Sequence, residues 1–262
     1  MQNPISVFII TKNEADRILD VINAVKKIAD EVLVIDSGSS DKTCEIAAQA
    51  GAKVMFNAWQ GFGQQKIFGE NQCKNKWILN LDADEEISPE LCDEITQIFS
   101  QNLPQNLHGF RVKIVNKFRF EKRPHKFAYF YNQLRLYNKD FAGFKNSAVH
   151  DSVELKQPDS QKIGQLRNII FHQSFRSFSH WIEKINFYSQ MQAQDSFAKG
   201  KCPSRTKVFL ISTVAFLKAF FVRRYFIYGF NGVVYSYLFA FSRFAKAIKT
   251  RELFQAKKTP NK

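Results

Sequence analysis

Residues 78–88 read ILNLDADEEIS, an apolar run that ends in four carboxylates, two of them, Asp82 and Asp84, separated by Ala83 alone. In a strand, residues i and i+2 project to one side, so an extended conformation predicts that both aspartates converge on one point, where their repulsion must be offset. A divalent cation would offset it. Mg2+ and Mn2+ prefer oxygen ligands, and Mg2+ usually binds through one or two carboxylates together with substrate phosphates. A solvated turn is the other reading, because Ser88-Pro89-Glu90 has the form of an N-cap followed by proline in the first helical turn. The tetrapeptide alone leaves both standing.

Outward from this stretch, SVFII (6–10), EVLVI (31–35), KVMF (53–56) and WILNL (77–81) are short apolar runs spaced to leave room for a helix between each pair. That alternation predicts βαβ units and a parallel sheet. Ile18, Val21, Ile22 and Val25 mark one face of the first helix; Cys44, Ile46, Ala47 and Ala50 precede a stop at Gly51 in the second. Ligands of open parallel sheets sit at the carboxyl ends of strands. The segments to read for chemistry are therefore TKNEAD (11–16), DSGSSDKT (36–43), AWQGFGQQK (58–66) and DADEE (82–86). Beyond residue 108 the alternation weakens into strand-like GFRVKIV, QLRLY and AVHDSVEL, an α+β extension. From Ser177 one amphipathic helix is predicted up to Gly200.

The chain has 262 residues, enough for one large domain plus an appendage. Cys44, Cys73, Cys92 and Cys202 form no close pair, which argues against a zinc site or a disulfide framework and fits a reducing compartment. The N-terminal run lacks a basic n-region and a long apolar core, so no signal peptide is expected. The formal charge of +14 is unevenly placed: residues 201–262 hold 13 Lys/Arg against one acid, Glu252. The body is near neutral and the tail strongly basic and aromatic.

Taken together, the strand-end segments resemble the nucleotide-sugar-binding half of a family 2 glycosyltransferase with the GT-A fold. The motifs that carry the resemblance are T-x-N-E as Thr11-Lys12-Asn13-Glu14, D-S-x-S-x-D-x-T as Asp36 to Thr43, and DxD as Asp82-Ala83-Asp84, in that order. The longer frame, with WQGFGQQK before the DxD and QLRLY and VHDSVE after it, is similar to the lipopolysaccharide core β-glucosyltransferase subfamily and covers nearly the whole chain. The resemblance implies an α/β fold with a mostly parallel central sheet flanked by helices. It places a catalytic domain at 1–176, with donor-binding (1–107) and acceptor-binding (108–176) halves, before a helical extension at 177–262. It implies inverting transfer of a hexose, glucose in the subfamily, from a UDP-sugar to a lipid-linked saccharide such as an inner-core heptose, assisted by Mg2+ or Mn2+.

Residue by residue, the resemblance makes Asp84 the direct metal ligand, with Asp82 facing ribose or metal. Asp36, followed by Ser37, accepts a hydrogen bond from uracil, and Thr11, Asn13 and Glu14 complete the base and ribose pocket. For Asp36 a simple turn aspartate is the alternative, and for Glu14 a place in the first helical turn. Lys66 stands where the family has a basic residue near the diphosphate; a solvated helix lysine is the equal alternative. The catalytic base is Asp151, one methylene shorter than the glutamate usual after the histidine of that dipeptide, with Glu154 the runner-up. His150 and His172 read as hydrogen-bonded structural histidines, or else as contacts to metal or diphosphate.

Val208–Val222 is 15 residues with one lysine, short of the roughly 20 needed to span a bilayer. Mixed apolar, aromatic and basic residues suit an anionic membrane surface, or packing on the catalytic domain. A peripheral protein on the cytoplasmic face of a bacterial inner membrane is expected. Nucleic-acid binding by the tail would leave the strand-end acids unexplained, so no nucleic-acid partner is expected. A phosphohydrolase with Asp82 as nucleophile would place that aspartate on the first strand, not the fourth.

Overall fold

A computed structural model describes residues 3–118, 121–145, 152–157 and 162–258. Asp151 and His150 lie outside the described residues. The first strand shows why the sheet is buried on both faces. β1 (Ile5–Thr11) has no exposed residue; Ile5, Val7 and Ile9 pack into one core, while Phe8 and Ile10 pack into another on the opposite face. A strand covered on both sides reads as a continuous apolar run rather than an alternation.

β1 pairs in parallel with β2 (Glu31–Asp36) on one side and β4 (Trp77–Asp82) on the other, and β3 (Lys53–Phe56) extends the sheet beyond β2. α1 (Ile18–Val25) buries Ile18, Val21, Ile22 and Val25, the face its periodicity predicts. α2 (Thr43–Gln49) precedes Gly51, whose φ of +87° is the left-handed stop expected there. The chain steps outward from β1 to β3 and then returns to the other side of β1 for β4. That reversal makes a topological switch point between β1 and β4, and Thr11 and Asp82 stand at their carboxyl ends beside it.

α3 (Phe62–Gln72) leads into β4, and a short β5 (Glu85–Ile87) follows it before α4 (Pro89–Phe99), capped by Ser88 Oγ accepting from Leu91 N at 3.1 Å. β6 (Leu107–Asn116), β7 (Phe130–Asn138) and β10 (Lys162–His172) complete a sheet whose order is β3-β2-β1-β4-β7-β6-β10-β5 among the described residues. β7 runs antiparallel to both β4 and β6, and β10 is parallel to β6. β8 (Ala142–Phe144) and β9 (Val153–Leu155) form a separate antiparallel ribbon.

These elements make one compact unit, Met1–Asn116 with Phe130–Gln173; Lys117–Tyr129 and Ser174–Lys262 make the second. The second unit thus adds residues 117–129 to the chain from Ser174 onward. Phe118 explains the addition: it stacks on Tyr235 at 4.0 Å inside an aromatic cluster with Tyr225, Trp181 and Phe175. The helices of this unit are α5 (Phe178–Ala198), α6 (Arg205–Leu217) and α7 (Gly229–Lys258), with a π-helical turn at Lys218–Val222 and a 3-10 turn at Tyr225–Tyr228 between the last two. Ser177 caps α5 and Gly200 follows it with φ +68°. No helix among the described residues is long and apolar enough to cross a membrane.

α3 sits against the sheet only because Gly69 lacks a side chain: a Cβ there would lie 2.6 Å from the Phe8 ring. Gly69→Ala is therefore expected to destabilise the protein by roughly 1–3 kcal/mol through overpacking, whatever alanine adds in helix propensity. Urea denaturation followed by circular dichroism should show a lower midpoint at unchanged slope.

Candidate active site

Two loops close the carboxyl end of β1 and β2. Asp36, buried, accepts from the backbone N–H groups of Gly38 at 2.8 Å and Ser39 at 2.9 Å, and from the Ser39 hydroxyl. It forms the turn itself, so a uracil hydrogen bond would share a carboxylate already in use. Asn13, at φ +56°, donates its N–H to Ser39 Oγ at 2.8 Å and accepts from Ser40 N at 2.8 Å through Oδ1. Glu14 N donates to Thr43 Oγ1 at 2.8 Å. The T-x-N-E and D-S-x-S-x-D-x-T segments are thus stitched to each other by side chains that each motif supplies.

Glu14 lies ahead of α1 and pairs with Arg17, whose Nε donates to Oε2 at 2.8 Å. Ser37 donates both its N–H and its hydroxyl to the Thr11 carbonyl, each at 3.1 Å. The Thr11 hydroxyl is buried with no hydrogen-bond partner among the described residues, an acceptor and donor left over where the loops meet.

The DxD segment departs from its expected geometry. Asp82 ends β4, but Ala83 and Asp84 form a turn before β5, so the i, i+2 relation of a strand does not apply and the aspartates take different partners. Asp82 Oδ1 lies 2.9 Å from Lys66 Nζ, and Oδ2 lies 3.7 Å from Arg135. Lys66 is fully buried, which removes the solvated reading of that residue; its ammonium also lies 5.7 Å over the Phe144 ring. Arg135, on β7, donates to Glu85 Oε1 and to Asn80 Oδ1, each at 2.7 Å, and Glu85 Oε2 accepts from Asp82 N at 3.1 Å. Burial pushes the Glu85 pKa up, against the opposing pull of Arg135.

Asp84 faces a different group. Its Oδ1 is 3.4 Å from Nε2 of His172, the last residue of β10, and the other ring nitrogen, Nδ1, is 3.1 Å from Asn116 Oδ1. Burial alone would lower the His172 pKa; Asp84, Glu85 and Asp82 outweigh it, and the net direction is up. Among the described residues no group of three His, Cys, Asp or Glu side chains is gathered for a metal. Asp84 and His172 nevertheless fit as a pair of donors. Ligands about 2.1 Å from one octahedral ion and at right angles stand about 3 Å apart, and the remaining positions suit phosphate oxygens and water.

Glu154 lies on β9, half exposed and ion-paired with Lys145. Arg135 was not singled out, yet a signal for it existed: it is a charge inside the apolar run of QLRLY, where it requires a partner, and Glu85 stood among the strand-end acids. His172 offered the strand-end signal that singled out Thr11, Asp36 and Asp82.

The model of the family described as Glycosyl transferase family 2 matches residues 6–154. A relative from Rickettsia bellii, described as an uncharacterized glycosyltransferase, is 48% identical over 254 residues, covering 95% of this chain and 86% of the relative. The lipopolysaccharide core biosynthesis glycosyltransferase LpsC of Rhizobium meliloti is 26% identical, covering 98% and 96%. A structure of glucosyl-3-phosphoglycerate synthase from Mycobacterium tuberculosis with Mn2+, UDP and glucosyl-3-phosphoglycerate is 21% identical over 45% of each chain at a TM-score of 0.35, too limited an overlap to bear on the site.

The buried charges yield a prediction independent of activity. Arg135→Met strands Glu85 and should cost about 3–5 kcal/mol, whereas Arg135→Met combined with Glu85→Gln should cost clearly less than the sum of the single changes. A double-mutant cycle of chemical denaturation measures the coupling; additive losses would contradict it.

Proposed function

The chain belongs to glycosyl transferase family 2, and from that premise we propose that it is an inverting enzyme moving glucose from UDP-glucose to a lipid-linked saccharide such as a lipopolysaccharide inner-core heptose. It is a GT-A glycosyltransferase that uses a nucleotide sugar; the sugar, the acceptor and the residue roles are our reading. One observation carries that reading: beside the turn after β4, a carboxylate and an imidazole, Asp84 and His172, face each other at 3.4 Å. Lys66 and Arg135 neutralise the neighbouring Asp82.

In this reading the acceptor hydroxyl oxygen attacks the anomeric carbon, the bond from that carbon to the diphosphate oxygen breaks, and its electron pair leaves with UDP. Asp84 and His172 would hold a divalent ion there. Bound there, Mg2+ or Mn2+ would supply Lewis-acid stabilisation of the leaving group. Asp82, oriented by Lys66, takes the ribose hydroxyls. The uracil lies at the stitched loops, with the Thr11 hydroxyl and the Asp36 carboxylate as partners and Ser37, Asn13 and Glu14 shaping the pocket. Asp151 takes the acceptor proton; Glu154, tied to Lys145, is the weaker candidate. A phosphohydrolase needs Asp82 as nucleophile, yet its two carboxylate oxygens face Lys66 and Arg135. Because the acceptor is lipid-linked, the enzyme works as a peripheral protein on the cytoplasmic face of the inner membrane.

Asp84→Ala should abolish metal-dependent UDP binding with the fold retained, and His172→Ala should weaken it. Thermal unfolding with UDP, with and without Mn2+, is the measurement, since a ligand raises apparent stability with its saturation. An unchanged metal-dependent shift in Asp84→Ala would remove the assignment. Asp151→Asn should keep that shift while lowering turnover by about 10²- to 10⁴-fold. The same loss in Glu154→Gln with Asp151→Asn active would move the base to Glu154.

A further inference from the structure

In the second unit, α6 turns its small and half-buried side to α7 and leaves its apolar side uncovered. Val208, Ala215 and Ala219 are buried, while Phe209, Leu210, Val214, Leu217 and Phe221 are exposed, Phe209 by 74% and Phe221 by 60%. Steps of three and four residues place Leu210, Val214, Leu217 and Phe221 in one stripe. Exposed aromatic surface also lies on α7, where Tyr237 is 65% exposed and its ring lies 4.7 Å from that of Phe216. A soluble surface seldom carries an apolar patch of this extent without a use for it.

Charge identifies the occupant. Lys207 and Lys218, three turns apart, share one flank of the stripe, and both are exposed. Residues 201–262 carry a net +12, with Glu252 the single acid. A second copy of this chain would bring one such surface against another and would have to overcome their repulsion. A helix lying in an anionic bilayer surface meets both demands, since its aromatic and aliphatic side chains enter the headgroup boundary while flanking lysines and arginines reach the phosphates. The stripe belongs to a helix too short to cross.

We propose that the outer face of α6 and of the π-helical turn that follows it, from Phe209 to Phe221, is the surface by which the protein lies on an anionic lipid bilayer, with Lys207 and Lys218 setting its depth. The proposal rests on the reading above that the acceptor is held in a membrane, and it names the residues that do the holding.

The test is co-sedimentation of the full chain with vesicles of phosphatidylcholine alone or mixed with phosphatidylglycerol. The wild type should bind the mixed vesicles at least about tenfold more tightly than the neutral ones, and high salt should narrow the difference. Leu217→Ser with Phe221→Ser should weaken binding to both by about tenfold or more. Lys207→Glu with Lys218→Glu should remove most of the preference for the anionic vesicles while leaving neutral binding in place. All of these side chains are exposed, and circular dichroism should show both variants folded. Wild-type binding indifferent to lipid charge, or variants that bind as the wild type does, would overturn the proposal. So would a wild type that ignores vesicles and sediments as a dimer that the serine variant dissolves. UDP-dependent thermal shifts in the same samples report separately on the donor site and should be equal in all three proteins.

Discussion

The carboxyl edge of the main sheet depends on a buried charge balance. Lys66, Asp82, Arg135 and Glu85 come from α3, β4, β7 and β5, and Lys66, Arg135 and Glu85 are almost entirely shielded from water. Two cations and two carboxylates in a poorly hydrated place are tolerable only as a set, since removing any one leaves a charge that its surroundings cannot solvate. Asn80 extends the set by accepting from Arg135 inside an otherwise apolar strand. These contacts fix four elements relative to one another more stringently than apolar packing would, because ion pairs have direction and cores tolerate repacking.

That balance also separates the roles of the two aspartates. Asp82 is held by Lys66 and Arg135 and is neutralised in place. Asp84, two residues on, leaves the strand and meets an imidazole that the surrounding carboxylates make more basic. Chemically similar groups acquire different properties because of what stands within 4 Å of each. The hydrogen bond from Gln173 N to the Asp84 carbonyl at 2.8 Å holds the turn against the residue after His172, so the pairing is fixed through the backbone as well.

The second unit is built on other physics. Its core is aromatic, with Phe118 and Tyr235 stacked and Trp181 stacked on Phe175 at 3.9 Å. Rings fill volume at little cost in rotamer entropy, which suits a small helical assembly. The residue type that fills this core also covers its outside: Phe209 and Phe230 are 74% and 81% exposed. Phenylalanine count alone cannot tell the two uses apart, and helical phase does.

The amino-acid sequence by itself determined the parallel α/β half of the protein, because each strand and helix there declares itself by local periodicity, and the position of the strand-end motifs follows from the rule that such sheets bind ligands at their carboxyl edge. Ile18, Val21, Ile22 and Val25 needed no knowledge of their neighbours to be recognised as a buried face, nor did Ser177 as the start of a helix. Only the tertiary structure decided which polar groups meet. Arg135 and Glu85 are 50 residues apart and Asp84 and His172 still further, and pairing at such separation leaves no periodic trace. It decided that Lys66 is buried, that Asp84 belongs to a turn, and that Phe118 joins the second unit. Local pattern is written by the backbone's own geometry, whereas a buried charge is defined by partners that the chain brings to it from elsewhere.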